Sequence, residues 1–190
     1  MKFSTAFFAA LLLNTTLITS NTLAADYQVD TKNSAVVFQG THSEIPFEGQ
    51  FKTWQAEISF DADKLNDSHI KATLQTDSAE TGNKMYDGTL PQEDWFNAIK
   101  FPEITFVSKT ITADKDKGYV ATGDLTIRGI THPAKLNFTL SDTTQPEVTA
   151  KGELSIDRLD YDIGKKSDKE GEWVGKTITV QIHLKAKRKA

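Results

Sequence analysis

The side chains with the widest chemical repertoire in this chain are four histidines, His42, His69, His132 and His183. None has a second ligand at a spacing that metal sites use. His183 falls on the polar parity of its strand, and His132 is read as sitting in a turn beside Pro133. Ordinary surface and turn roles account for both. The acid-rich run 157–172 offers Asp157, Asp160 and Asp162 for calcium. Its spacing lacks the terminal glutamate at the offset that a helix-loop-helix calcium site requires. Lys165, Lys166 and Lys169 lie among the acids and partly neutralise them, so the run reads as a solvated loop between two strands. Cysteine is absent, which removes thiol chemistry and disulfides. There is no Gly-x-Ser-x-Gly elbow and no glycine-rich phosphate loop ahead of a helix. The expectation is a protein without metal or cofactor that is not an enzyme.

The apolar residues carry more information. Residues 80–102 place Met85, Leu90, Trp95, Phe96, Ile99 and Phe101 among glycines, prolines and charges, in a connection that does not alternate. A connection holds several large apolar groups only where it folds over something. Thr89 is placed to cap a short helix, with Pro91 and two acids suiting its first turn. Such a helix could lie across one mouth of a barrel, with Trp95 and Phe96 turned inward.

The elements that would position this segment are strands. Ile70, Ala72 and Leu74 alternate with polar residues, and so do Leu136, Phe138 and Leu140, and Ile178, Val180, Ile182 and Leu184. Strict alternation is the mark of a strand with one wet face and one buried face. Eight strands are predicted, near 33–41, 49–61, 67–77, 103–113, 117–128, 133–142, 146–157 and 173–187. The expected fold is all-β, an eight-stranded antiparallel lipocalin-like barrel with a short helix in the long connection after the third strand. Closure removes the sheet edges, and eight strands leave room for one slender ligand. Small residues at inward positions (Ala72, Ala121, Gly123, Ala150 and Gly152) either leave space or relieve crowding where the barrel bends.

The N-terminus has the three parts of an export signal: Met1-Lys2, an apolar core from Ala6 to Leu13, and small residues at Ala24 and Ala25. Residues 1–25 are therefore read as a cleaved signal peptide and 26–190 as one domain of the periplasm. The whole chain has 22 basic and 26 acidic side chains and a net charge of −4, which offers no broad face to nucleic acid. The basic tail Lys185–Lys189 offers at most a weak attraction to anionic lipid heads.

In the order and spacing of its motifs the chain resembles the YceI family of polyisoprenoid-binding, lipocalin-like periplasmic proteins. The resemblance is carried by Tyr27-Gln28-Val29-Asp30, Phe47-Glu48-Gly49-Gln50-Phe51-Lys52, Thr81-Gly82-Asn83, Asp87-Gly88-Thr89-Leu90, Trp95-Phe96, and Phe101-Pro102-Glu103-Ile104-Thr105-Phe106. It continues through Gly123–Thr131, Arg158-Leu159-Asp160-Tyr161, Ile163-Gly164 and Val174-Gly175. Some members have Asn-x-x-Arg-Asp where this chain has Asn83-Lys84-Met85-Tyr86-Asp87, and a lysine does not replace an arginine fork. The resemblance implies a barrel with an apolar cavity for a polyisoprenoid, an isoprenoid quinone or a fatty-acyl ligand. Strand parity supplies the candidate lining: Leu74, Leu125, Ile127, Leu136, Phe138, Ile178 and Val180, with Met85, Trp95 and Phe96 at the mouth. Transient membrane contact and a homodimer stay open. Two rival readings differ in class. One is a quinone-related redox partner in which His42 or Tyr86 handles the ring. The other is a filled barrel that serves a stress response through protein contacts.

Overall fold

The computed structural model describes residues 24–115, 118–141 and 146–189. The signal read at 1–25 lies, but for its last two residues, outside the described residues, and so do turn positions 116–117 and 142–145. The strands are β1 (Ala25–Val29), β2 (Ala35–His42), β3 (Ile45–Phe51), β4 (Trp54–Phe60), β5 (His69–Gln75), β6 (Ala79–Glu80), β7 (Glu103–Ala113), β8 (Tyr119–Ile127), β9 (Ile130–Ser141), β10 (Glu147–Asp157) and β11 (Thr177–Arg188). One α-helix, α1 (Lys84–Thr89), lies between β6 and β7.

These segments fill eight courses of a closed antiparallel barrel. The ring runs β1-β4-β5-β7-β8-β9-β10-β11 and returns to β1. The remaining three strands prolong three of those courses. β11 pairs with β1 near its C-terminal end (Tyr27 opposite Arg188) and with β2 farther back (Ala35 opposite His183). β1 and β2 are thus one course interrupted at 30–34. There the Asp30 carboxylate accepts the backbone N–H groups of Lys32 and Asn33. β3 and β4 form a second course, bent at Lys52 and Thr53, and β5 and β6 a third, bent at 76–78. The second and third bends meet: the Lys52 N–H donates to the Ser78 carbonyl and the Gln75 N–H to the Thr53 carbonyl. Buried Thr76 ties the third bend to the lid segment by donating its hydroxyl to the Phe101 carbonyl. Strict period-two parity survives only between such bends, so one predicted strand, 49–61, is two.

Two local expectations are corrected. The helix lies before Thr89, not after it: residues 90–96 form turns, and Asn83 caps α1, its side chain accepting from the N–H groups of Met85 and Tyr86. Thr89 is the helix's last residue, and its hydroxyl donates to the Met85 carbonyl one turn back. Pro91 cannot continue the helical ladder, and the chain folds into successive turns instead, with the N–H groups of Trp95 and Asn97 both donating to Gln92. His132 and Pro133 lie within β9, not in a turn. The β8–β9 turn falls earlier, at Arg128 and Gly129, which both have positive φ.

The small inward residues divide between the two roles foreseen for them. Ala72, Ala150 and Gly152 line the cavity, Gly152 with the Leu136 side chain close by, whereas Ala121 is fully buried in packing. Gly123 sits against an irregularity in β7 between Ser108 and Thr110. A Cβ there would stand 2.2 Å from the Val107 carbonyl oxygen and 2.7 Å from the Ser108 Cα. Gly123→Ala is expected to lower stability by about 1–3 kcal/mol, read as a shift of the urea midpoint at unchanged slope.

Candidate functional site

The barrel encloses an apolar cavity of about 210 Å³. Nine of the ten residues singled out from parity and from the long connection lie on its wall. Leu74 comes from β5, Leu125 and Ile127 from β8, Leu136 and Phe138 from β9, and Ile178 and Val180 from β11, with Trp95 and Phe96 arriving from the lid. The tenth, Met85, is a correction: it is 73% exposed and does not reach the cavity. It falls in α1, which has no buried residue and lies on the outside of the mouth.

Three aromatic rings cluster toward the far end of the cavity. Tyr119 stacks on Phe138 at 5.3 Å, and Phe60 meets both edge-on, at 4.9 and 5.9 Å. At the other end Phe96 packs on Phe51, with ring centroids 5.9 Å apart, and Leu90, Ile163 and Val174 complete the wall. The lid is therefore built from two segments, 81–102 and 158–176.

One ion pair organises the second segment. Arg158 is 1% exposed, and its Nη2 stands 2.7 Å from Asp168 Oδ2. The same guanidinium donates to the carbonyls of Ile163, Val174 and Gly175. Asp168 in turn accepts the backbone N–H groups of Glu172, Trp173 and Val174. Every polar atom of this pair is turned to the loop. The hydrocarbon part of Arg158 is left on the cavity wall, with the guanidinium carbon 5.9 Å from the centroid of the Trp95 ring. Gly164, at φ +66°, makes the packing feasible, since a Cβ would stand 2.9 Å from Arg158 Nη1 and 3.3 Å from the Trp95 ring.

A second carboxylate joins the two segments. Asp94 accepts the N–H groups of Lys166 and Ser167 and the Ser167 hydroxyl, and its carbonyl accepts the Gly164 N–H. Neither this clamp nor Asp168 was legible in the sequence. Both are acids among acids in solvated-looking loops, and only the fold shows that their acceptors are consumed by backbone donors.

Burial alone would raise both carboxyls. In Asp168 it is outweighed by the N–H groups of Val174, Trp173 and Glu172 and by Arg158, and in Asp94 by the Ser167 hydroxyl and two backbone N–H groups. Both titrate below the ordinary range. A depressed carboxyl adds stability above its unfolded value, about 3.9, and that contribution vanishes as pH falls through the folded value. Stability to urea is accordingly expected to be flat from neutral pH down to about 5 as far as these two groups are concerned, and to drop below about 4. In Asp94→Asn the acid drop should be shallower, as read from midpoints across a pH series.

A polar pair stands at the mouth. His42 Nδ1 and the Tyr86 hydroxyl are 2.6 Å apart, and the two rings meet edge-on at 5.4 Å. Tyr86 also packs on Phe47, itself part of the cavity wall. The sequence offers His42 or Tyr86 as alternatives for a ring, and the fold makes them one unit. Elsewhere the histidines do not converge. His132 lies against the Asp160 carbonyl and the Tyr161 ring, and His69 and His183 are exposed. Among the described residues no three His, Asp or Glu side chains are grouped to hold a metal.

A closed eight-stranded antiparallel barrel, lidded at one end and hollow within, is the architecture of a lipocalin-like barrel. The chain belongs to the YceI-like domain family, whose pattern matches residues 27–186. It is 35% identical over 137 residues to a UPF0312 protein of Pseudomonas syringae pv. syringae, covering 70% of this chain and 71% of the relative. Among solved structures it is similar to Burkholderia cenocepacia BcnA, with a TM-score of 0.79 and 30% identity over 83% of this chain and 99% of that one. The fold also matches a polyisoprenoid binding domain from Saccharophagus degradans, implicated in plant cell wall breakdown. There the TM-score is 0.66 and the identity 14%, over 87% of this chain and 99% of that domain.

Proposed function

We propose that this protein is an exported carrier that holds the hydrocarbon tail of a lipid in its barrel, an isoprenoid above all. The observation that carries the reading is the cavity itself: an interior with apolar walls, where the charge of Arg158 is spent on the adjoining loop. Affinity would come from burying the tail, at roughly 0.8 kcal/mol per methylene. Family membership and the polyisoprenoid-binding neighbour support the isoprenoid class, while a fatty-acyl tail meets the same walls. Leu74, Leu125, Ile127, Leu136, Phe138, Ile178, Val180, Trp95 and Phe96 are the contacts assigned to it. The N-terminal pattern supports export to the periplasm.

The direct test is detergent-free purification followed by solvent extraction and mass spectrometry. The expected result is about one lipid per chain, exchangeable for an added polyprenol. A protein that leaves the cell empty and takes up neither polyprenol nor fatty acid would end the carrier reading.

The His42–Tyr86 pair favours a lipid with a neutral polar head, such as a hydroxyl or a quinone carbonyl, seated at the mouth. Tyr86→Phe removes one hydrogen bond, worth about 0.5–1.5 kcal/mol. It should weaken a head-bearing prenyl lipid by about two- to tenfold while leaving a plain hydrocarbon of equal length unaffected. Competition binding with the two ligands reads the difference. Turnover of a quinone by the purified protein would instead favour the redox reading.

A further inference from the structure

Large apolar side chains left in solvent are few among the described residues: Ile45, Met85, Ile99, Val107 and Trp173. Val107 lies along β7, but the other four sit at the lidded end of the barrel. Three of them surround the His42–Tyr86 pair. Ile45 is the cross-strand partner of His42 at the tip of the β2–β3 hairpin. Trp173 reaches the same tip, its carbonyl accepting the Ser43 N–H. Met85 precedes Tyr86 on α1. Their exposures are 70%, 62% and 73%, and Ile99, fully exposed, lies farther round the same end.

We infer that this rim is a docking face for the surface of a lipid bilayer, with Ile45, Met85 and Trp173 entering the interface beside the cavity mouth. The three project from a hairpin tip, a helix and a loop rather than from one flat face. Together they expose well under the ~800 Å² per partner that a stable protein interface needs. Exposed apolar clusters of this kind mark contact surfaces, and tryptophan is the side chain most at home between head groups and acyl chains. Glu44 adjoins Ile45, Glu172 adjoins Trp173 and Lys84 adjoins Met85, so the charges next to the three side chains show no excess of cations. The attraction is therefore hydrophobic, toward a zwitterionic surface, and not electrostatic. The basic tail Lys185–Lys189 continues β11 at the opposite end of the barrel and takes no part. The inference rests on the carrier reading only for its purpose, since docking beside the mouth lets a tail pass between bilayer and cavity without crossing water.

The chain has no cysteine, so single labels report unambiguously. An environment-sensitive dye on Lys84→Cys, beside the rim, should brighten on titration with phosphatidylcholine vesicles. The same dye on Asp63→Cys, in the far-end loop between β4 and β5, should not. The double variant Ile45→Ser/Trp173→Ser should lower vesicle partitioning about tenfold or more. Its thermal midpoint should stay unchanged, because both side chains are exposed. Phosphatidylglycerol should not strengthen binding, and added salt should not weaken it. Vesicles that fail to bind, equal responses at both labels, or a double variant that binds like the parent would each overturn the inference. So would a lipid-free dimer that the double variant dissolves, since the rim would then be a contact between copies. Mass spectrometry of the same samples separates the two claims. Cargo without vesicle binding sinks the docking face alone, and vesicle binding without cargo sinks the carrier reading alone.

Discussion

Arg158→Ala is expected to destabilise the protein by about 3–5 kcal/mol, the usual cost of stripping one partner from a buried ion pair. Arg158 and Asp168 are 1% and 7% exposed, so water cannot replace what is lost. The substitution would leave the carboxylate without its cation and remove the donor to the carbonyls of Ile163, Val174 and Gly175. Against a total stability of about 5–15 kcal/mol, the variant would be marginal at 37 °C. Asp168→Asn should cost less, since an amide oxygen can still accept from Val174 and the guanidinium can keep its carbonyl acceptors. Chemical denaturation of the two variants gives the comparison. Equal and small losses would mean that the 158–176 segment is held by its other contacts. Because Arg158 also lies beneath Trp95, Arg158→Ala should loosen the lid, raising the rate at which bound lipid leaves even where the barrel remains folded.

Ala72→Trp is expected to abolish lipid uptake while the barrel persists. Ala72 faces the cavity from β5, and an indole there would project into the space that a hydrocarbon tail needs. The matched control is Ala121→Trp. Ala121 is also inward but fully buried and off the cavity wall, between Ile111 of β7 and Leu136 of β9. Overpacking at such a site costs about 1–3 kcal/mol or more. The expected pattern is a folded, empty Ala72→Trp and a destabilised Ala121→Trp. Similar destabilisation in both would mean that the interior at Ala72 closes up in solution, and would favour a filled, structural barrel. Circular dichroism with extracted-lipid quantitation distinguishes these results.

How far the sequence foretold this molecule depended on whether a residue's role was periodic. Leu125 and Ile127, or Ile178 and Val180, could be placed on the cavity wall because every second residue of a strand shares a face. Trp95 and Phe96 could be drawn to the mouth because two large rings in a loop must be covered by something. Met85 obeyed the same argument and defied it: one apolar residue on a six-residue helix can face either way, and here it faces out. β1 (Ala25–Val29) was not among the predicted strands, and the breaks at 52–53 and 76–78 were hidden because barrel curvature leaves no local pattern. The roles of Arg158, Asp168 and Asp94 stayed hidden because a charged residue in a charged loop looks solvated until its partners are known. Glycine had the same ambiguity: Gly152 lies on the cavity wall close to the Leu136 side chain and Gly123 against a neighbouring carbonyl, with nothing in the string to separate them.

The seam between β1 and β11 joins residues 27–29 to 186–188. Cylinders sewn this way cannot seal until nearly the whole polypeptide is available, and such distant pairings form slowly. In the interval the edges of β1 and β11 stand open, the condition that invites strand addition from a neighbour. Refolding should accordingly be concentration-sensitive, and holdase chaperones would find their target in that half-sewn sheet.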